Sequence, residues 1–274
     1  MLKNNWLVVV LISTCLILAV VFGIYDLEIS KQIVNQNSGW AKFLEDYGMV
    51  PGLIVILSGV FIYYSYIKQR TNLRSWIMKV VFFLTTAGLI IYILDIFFSN
   101  NVKEDFVLNH LLTYSIISFF ISILIFILLH IRKPAQGLNK IIFAKVVVGT
   151  AFFGYVICIQ LIKTFWGRVR FRELDSTFSQ FTPWYLPQGI TGFDSFPSGH
   201  AASGFILLPL IILFSSKKGW KKDLVVGLII IWGFVLALSR VIIGAHYASD
   251  VLFGSLFITI TFLFFYKHYV GKIK

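Results

Sequence analysis

Lys163, Arg170, His200, Arg240, His246 and Asp250 carry the side chains from which this sequence can build reactive chemistry. They fall in three short stretches: Lys163-Thr-Phe-Trp-Gly-Arg-Val-Arg170, Pro197-Ser-Gly-His200, and Ser239-Arg240 followed by His246 and Asp250. Arginine forks match phosphate oxygens two at a time, and lysine adds a point charge. Pro-Ser-Gly opening a helix would turn free backbone N–H groups toward an anion, as at Ser198 and Gly199. His246 and Asp250 are four apart, so a helix would set them on one face. The carboxylate could then take the proton of one ring nitrogen and leave the other bare toward a substrate. Cations, imidazoles and a helix start are the parts of a phosphate site, with His246 as an activated nucleophile.

Each part has a plainer reading when taken alone. A lysine or arginine near a helix end usually snorkels to the head groups, and Pro-Ser-Gly is often only a turn and cap. His110, His130 and His268 have no carboxylate or phosphate-type neighbourhood and read as surface residues. Lys79 and Lys145 read as snorkelling, with Lys145 free to pair inside a bundle instead. Trp166, Trp184 and Tyr185 read as interfacial anchors. What favours the phosphate reading is the co-occurrence of all three stretches on one side of a membrane.

That membrane follows from composition. Of 274 residues, 58% are hydrophobic and only 13% charged, where a soluble domain carries about a quarter. A mean hydropathy of +0.85 excludes an ordinary soluble protein and a disordered one. The +12 net charge lies on no soluble module, so nucleic-acid binding is not expected. Cys15 and Cys158 both fall in apolar runs and offer neither a disulfide framework nor a zinc site. Eight runs approach the length of a span: 6–25, 49–67, 76–98, 111–131, 141–162, 200–214, 224–238 and 251–266. The sixth and seventh are short and would need their polar flanks. The first is too long for a signal segment and lacks a cleavage site, so it is read as a span. The expected fold is an all-α polytopic bundle of about eight spans forming one domain, 1–274.

With a cytoplasmic N-terminus, the inside segments hold fourteen basic residues against one acid, Asp223. The outside segments hold eight basic residues and ten acids. The positive-inside rule then puts both termini in the cytoplasm and all three reactive stretches at the outer face. Five of the outer basic residues crowd into 163–172 and Arg240, which topology alone does not explain.

At these residues the chain resembles the type 2 phosphatidic acid phosphatase superfamily of membrane lipid phosphatases. Lys163-x6-Arg170, Pro197-Ser-Gly-His200 and Ser239-Arg240-x5-His246-x3-Asp250 match the family's ordered motifs, with Phe171 where the family has Pro. Arg168 and Arg172 flank the matched arginine, and the spacing from Lys163 selects Arg170. The resemblance implies a six-helix core over 76–266, with 1–67 as two added spans. It implies that His246 attacks phosphorus to form a phosphohistidine, oriented by Asp250. His200 would protonate the leaving oxygen and then activate water. Lys163, Arg170, Ser198, Gly199 and Arg240 would hold the phosphoryl oxygens, and no metal or cofactor would be needed.

A lipid phosphotransferase using the same histidines and a non-enzymatic transporter are the alternatives. A transporter would place polar groups at mid-helix on several spans, and here only Lys79, Lys145 and Gln160 qualify. The expected partner is a lipid phosphate in the bilayer. Ile, Phe, Lys and Asn richness suggests a bacterial cytoplasmic membrane, with undecaprenyl diphosphate or phosphatidylglycerol phosphate the leading substrates. Phosphatidic acid and phosphorylated lipid A are further ones. Segment 171–196 is expected to form a lid.

Overall fold

In the computed structural model, residues 5–98, 107–134, 136–214 and 220–271 are described. Of the loop charges, Lys3, Lys103, Glu104, Asp105, Lys217, Lys218, Lys272 and Lys274 lie outside the described residues, as do the side chains of His110 and Lys221.

Long apolar runs without interior breakers give helices, because helical backbone satisfies its own hydrogen bonds in lipid. They are α1 (Asn5–Ile33), α2 (Gly39–Tyr47), α3 (Val50–Ile67), α4 (Leu73–Phe98), α5 (Val107–Ile131) and α6 (Leu138–Gly149). A π-helical stretch (Thr150–Leu161) joins α6 to α7 (Ile162–Trp166), and α8 (Gly199–Phe205), α9 (Leu210–Leu213), α10 (Trp220–Ile242) and α11 (Ala248–Val270) follow. The protein is a polytopic helical membrane bundle. Among the described residues, seven helical stretches are long and apolar enough to span, and Gly199–Leu213 is shorter. Within it, Pro209 accounts for the break between α8 and α9. It lacks an N–H, and the turn around it closes with three-residue bonds from Leu208 to Phe205 and from Leu210 to Leu207.

The core lies where α3, α6, α8 and α11 meet, around Phe143, Val147, Ile206, Ile258 and Phe262. Two close approaches there position the reactive stretches. A side chain at Gly254 would run into the carbonyl of Ser198, so glycine lets α11 touch the backbone leading into α8. The Ser198 N–H then donates to the Asp250 carbonyl at 2.9 Å. Gly167, at φ +64°, ends α7 in the left-handed region that glycine tolerates. The chain therefore leaves the helix just before Arg168.

At the opposite end, Lys68 donates to the carbonyls of Leu129, His130 and Arg132, and Lys79 donates to those of Lys68 and Arg70. Lys145 lies over the rings of Tyr66 and Tyr269 rather than beside an acid.

Gly254→Ala is expected to overpack the α8–α11 crossing at a cost of about 1–3 kcal/mol. Thermal unfolding in detergent should show a lower Tm than wild type, whereas Gly227→Ala, facing open space, should not.

Candidate active site

Lys163, Arg170, Gly199, His200, Arg240 and His246 line one cavity of about 430 Å³. Three chain regions far apart in sequence thus meet at one end of the bundle. Lys163 comes from α7, His200 from the first turn of α8, and Arg240 from the last turn of α10. Arg172, Asp194 and Glu45 complete the charged lining, and Met49, Leu53, Leu89, Tyr92 and Tyr155 form an apolar wall.

The cations are held by carboxylates. Asp194 lies between Lys163 and Arg170, its Oδ1 2.5 Å from Arg170 and its Oδ2 3.4 Å from Lys163. Glu45 Oε1 bridges Arg240 at 2.8 Å and Arg172 at 2.9 Å. Burial pushes the Asp194 carboxyl up, but Lys163 and Arg170 outweigh it and hold it below the usual carboxylate range. Arg240 is nevertheless not saturated. Its Nε and Nη1 are buried without a partner among the described residues, as is Nε of Arg170. Unspent guanidinium donors beside a cavity are what an anion would fill.

His246 does not reach Asp250 along a shared helical face as expected, because α11 begins only at Ala248. Asp250 instead folds back over the helix start, accepting the Tyr247 N–H at 3.0 Å. This brings its Oδ2 to 3.6 Å from His246 Nδ1, an ion-pair distance without a formed hydrogen bond. Ser195 donates to the same oxygen at 2.5 Å, and Arg168 holds the other at 2.6 Å. Burial drives the His246 imidazole down to about 4, against the opposing pull of Asp250, so it is neutral at neutral pH. The unfolded chain would bind that proton near pH 6.5, so His246 weakens the fold as pH falls from about 6.5 toward 4. His200 Nε2 lies 3.0 Å from the Glu45 carbonyl, which only accepts and therefore fixes an Nε2–H tautomer.

The three neighbouring arginines separate. Arg168 is fully buried, donating to Asp26, Ser249, Asp250 and the Thr182 carbonyl. Arg170 and Arg172 both face the cavity. Ser198 lies outside the lining, and its hydroxyl accepts the Ala201 N–H at 3.3 Å to cap the seven-residue α8. Asp250, also buried, stands outside the lining.

Asp26, Glu45, Asp194 and Ser195 have no part in the site on the sequence reading, which counts the three acids only among the outer charges. Glu45 arrives on α2, whose spacing of Ala41 and Leu44 on a buried face was a signal available in the sequence. Segment 171–196 contributes Arg172 and Asp194 to the lining. Of the expected anchors, Trp166 donates to the Trp184 carbonyl of this segment, and Trp184 donates to the Ala19 carbonyl of α1. Among the described residues, no group of three or more His, Cys, Asp or Glu side chains is placed to hold a metal ion.

The helical membrane bundle gathers these three motif stretches into one cationic cavity, and residues 142–274 match the PAP2 superfamily model. The chain is 35% identical over 74 residues to sphingosine-1-phosphate phosphatase 1 of Rattus norvegicus, covering 26% of this chain and 17% of that protein. It is 39% identical over 69 residues to phosphatidylglycerophosphatase B of Haemophilus influenzae, covering 24% of this chain and 28% of that protein. The matches therefore span well under two thirds of either relative. No solved structure matches.

Arg170 and Arg168 should respond differently to alanine. Arg170→Ala is expected to fold and lose about 10²-fold in kcat/KM for phosphate release, as when one charge-stabilising donor is removed. Arg168→Ala leaves Asp26 and Asp250 uncompensated, at a cost of about 3–5 kcal/mol. It should give little monodisperse protein by size-exclusion chromatography.

Proposed function

We propose that the protein is a metal-independent lipid phosphate phosphatase that works through a phosphohistidine on His246. The observation that carries this reading is the convergence of Lys163, Arg170 and a partly unpartnered Arg240 on the cavity that also holds His200 and His246. The Asp194 carboxylate already occupies an anion position between two of these cations. Phosphoryl oxygens take that position when a substrate enters. Neutral His246 attacks phosphorus as the bond to the leaving oxygen breaks. Asp250 lies close enough to stabilise the imidazolium character that develops. The bound phosphate favours protonated His200, which delivers its proton to the leaving oxygen. His200 then takes a proton from water, and the hydroxide releases inorganic phosphate from His246. Fixed cations in a partly desolvated cavity supply the charge stabilisation.

The apolar wall of Met49, Leu53, Leu89, Tyr92 and Tyr155 supports a lipid as the esterified alcohol. The relatives' names support monophosphorylated lipids, and undecaprenyl diphosphate belongs in the same panel. The loop charges support cytoplasmic termini and an extracytoplasmic site. The Ile, Phe, Lys and Asn richness supports a bacterial cytoplasmic membrane, and the family resemblance supports a six-helix core at 76–266.

Purified protein should release phosphate from at least one of phosphatidic acid, phosphatidylglycerol phosphate, sphingosine-1-phosphate and undecaprenyl diphosphate. Release should persist in EDTA and fall with vanadate, which takes up the five-coordinate geometry of phosphoryl transfer. Activity lost on chelation and restored by magnesium would contradict the mechanism. For orientation, a cysteine at Gln188 should react with an impermeant maleimide in intact cells, and one at Gln69 only after permeabilisation. The reverse pattern would put the site in the cytoplasm.

A further inference from the structure

Asp26 lies on α1, well before the matched region 142–274, yet its carboxylate is fully buried beside the residues just described. Its Oδ2 accepts Arg168 Nη2 at 2.9 Å, and its Oδ1 accepts the Ser249 N–H at 3.0 Å. The Ser249 hydroxyl donates to Asp26 and accepts from Arg168 Nη1 at 2.8 Å. Arg168 Nη1 also reaches Asp250 Oδ1 at 2.6 Å. A continuous run of polar contacts thus leads from α1 through Arg168 and Asp250 to His246.

This run divides the two oxygens of Asp250. Arg168 takes Oδ1, while Oδ2 stays with Ser195, the Tyr247 N–H and the His246 ring. Arg168 offers only one arm to Asp250 because Asp26 occupies the other. A guanidinium freed of Asp26 has its second arm available, and its preferred geometry with a carboxylate is the two-pronged fork. Turning into that fork would draw Oδ2 away from His246.

We propose that Asp26 is a positioning residue for phosphoryl transfer, keeping Arg168 one-armed on Asp250 so that Oδ2 faces His246. The proposal rests on the reading of His246 as nucleophile. It also gives the first helix a role, since α1 then closes the support behind the reactive imidazole from outside the matched domain. A positioning residue touches no substrate, so its loss should slow the chemical step and leave binding alone.

The test measures kcat and KM for phosphate release from dioctanoyl phosphatidic acid in mixed micelles. Asp26→Asn is expected to lower kcat by about 10–100-fold with KM nearly unchanged, the scale seen when a group orienting a functional histidine is removed. Asp26→Glu, which restores the carboxylate, should recover part of that loss. Wild-type kcat in folded Asp26→Asn overturns the proposal, as does a loss that Asp26→Glu does not relieve. If Asp26→Asn fails to fold, Ser249→Ala decides by the same criterion: lower kcat at unchanged KM supports it, and wild-type kcat overturns it. His246→Ala runs alongside. Turnover in that variant would sink the nucleophile assignment and the proposal together. An inactive His246→Ala beside a fully active Asp26→Asn would sink the proposal alone.

Discussion

The ion pairs of Arg168 are the interaction on which the rest of the structure depends. One guanidinium, removed from water, is shared by Asp26 of α1 and Asp250 of α11. A charge buried without a partner costs several kcal/mol, so each of the three groups needs the others in place. The pairing ties the first helix to the last and fixes the turn that carries His246. It also explains why the chain leaves α7 at Gly167, because the next residue must turn inward to meet both acids. The Arg168 side chain also packs over the Tyr247 ring at 3.9 Å, which closes the remaining side of the group.

Around this anchor, the cavity gathers like charges that repel each other. Lys163, Arg170, Arg172 and Arg240 face one space of about 430 Å³, and two carboxylates offset part of that repulsion. The offset is incomplete, since buried donors of Arg240 and Arg170 lack partners. On the reading proposed above, an entering phosphate would be attracted by these free donors and would displace carboxylates that sit where its oxygens would. Binding would then be coupled to rearrangement of Asp194 and Glu45, residues from a loop and from α2.

Much of this was legible in the sequence. Long apolar runs gave the bundle, since lipid leaves helices as the only economical backbone. The motif spacings selected Lys163, His200, Arg240 and His246, which the fold brings into one lining. They also separated Arg170 from Arg168, whose neighbouring positions lead to opposite environments once Gly167 turns the chain. What escaped the sequence was long-range. Asp26 and Glu45 look like ordinary acids at the ends of apolar stretches, and their partners lie more than a hundred positions away in the chain. The His246–Asp250 relation also misled, because a spacing of four suggested a helical face where a helix start does the work. The sixth run, already short by hydropathy, folds as the short stretch Gly199–Leu213, with a break in the α-helical pattern just before Pro209.

The central claim is that phosphorus passes through His246, and trapping it is the most direct measurement. His200→Ala supplied with an aryl phosphate, whose leaving group needs no proton, should form the intermediate but hydrolyse it slowly. Acid-labile, alkali-stable phosphate on the peptide containing residue 246, identified by mass spectrometry after rapid quenching, is the predicted result. Phosphate on another residue, or steady phosphate release with no labelled peptide at any time after mixing, would contradict it.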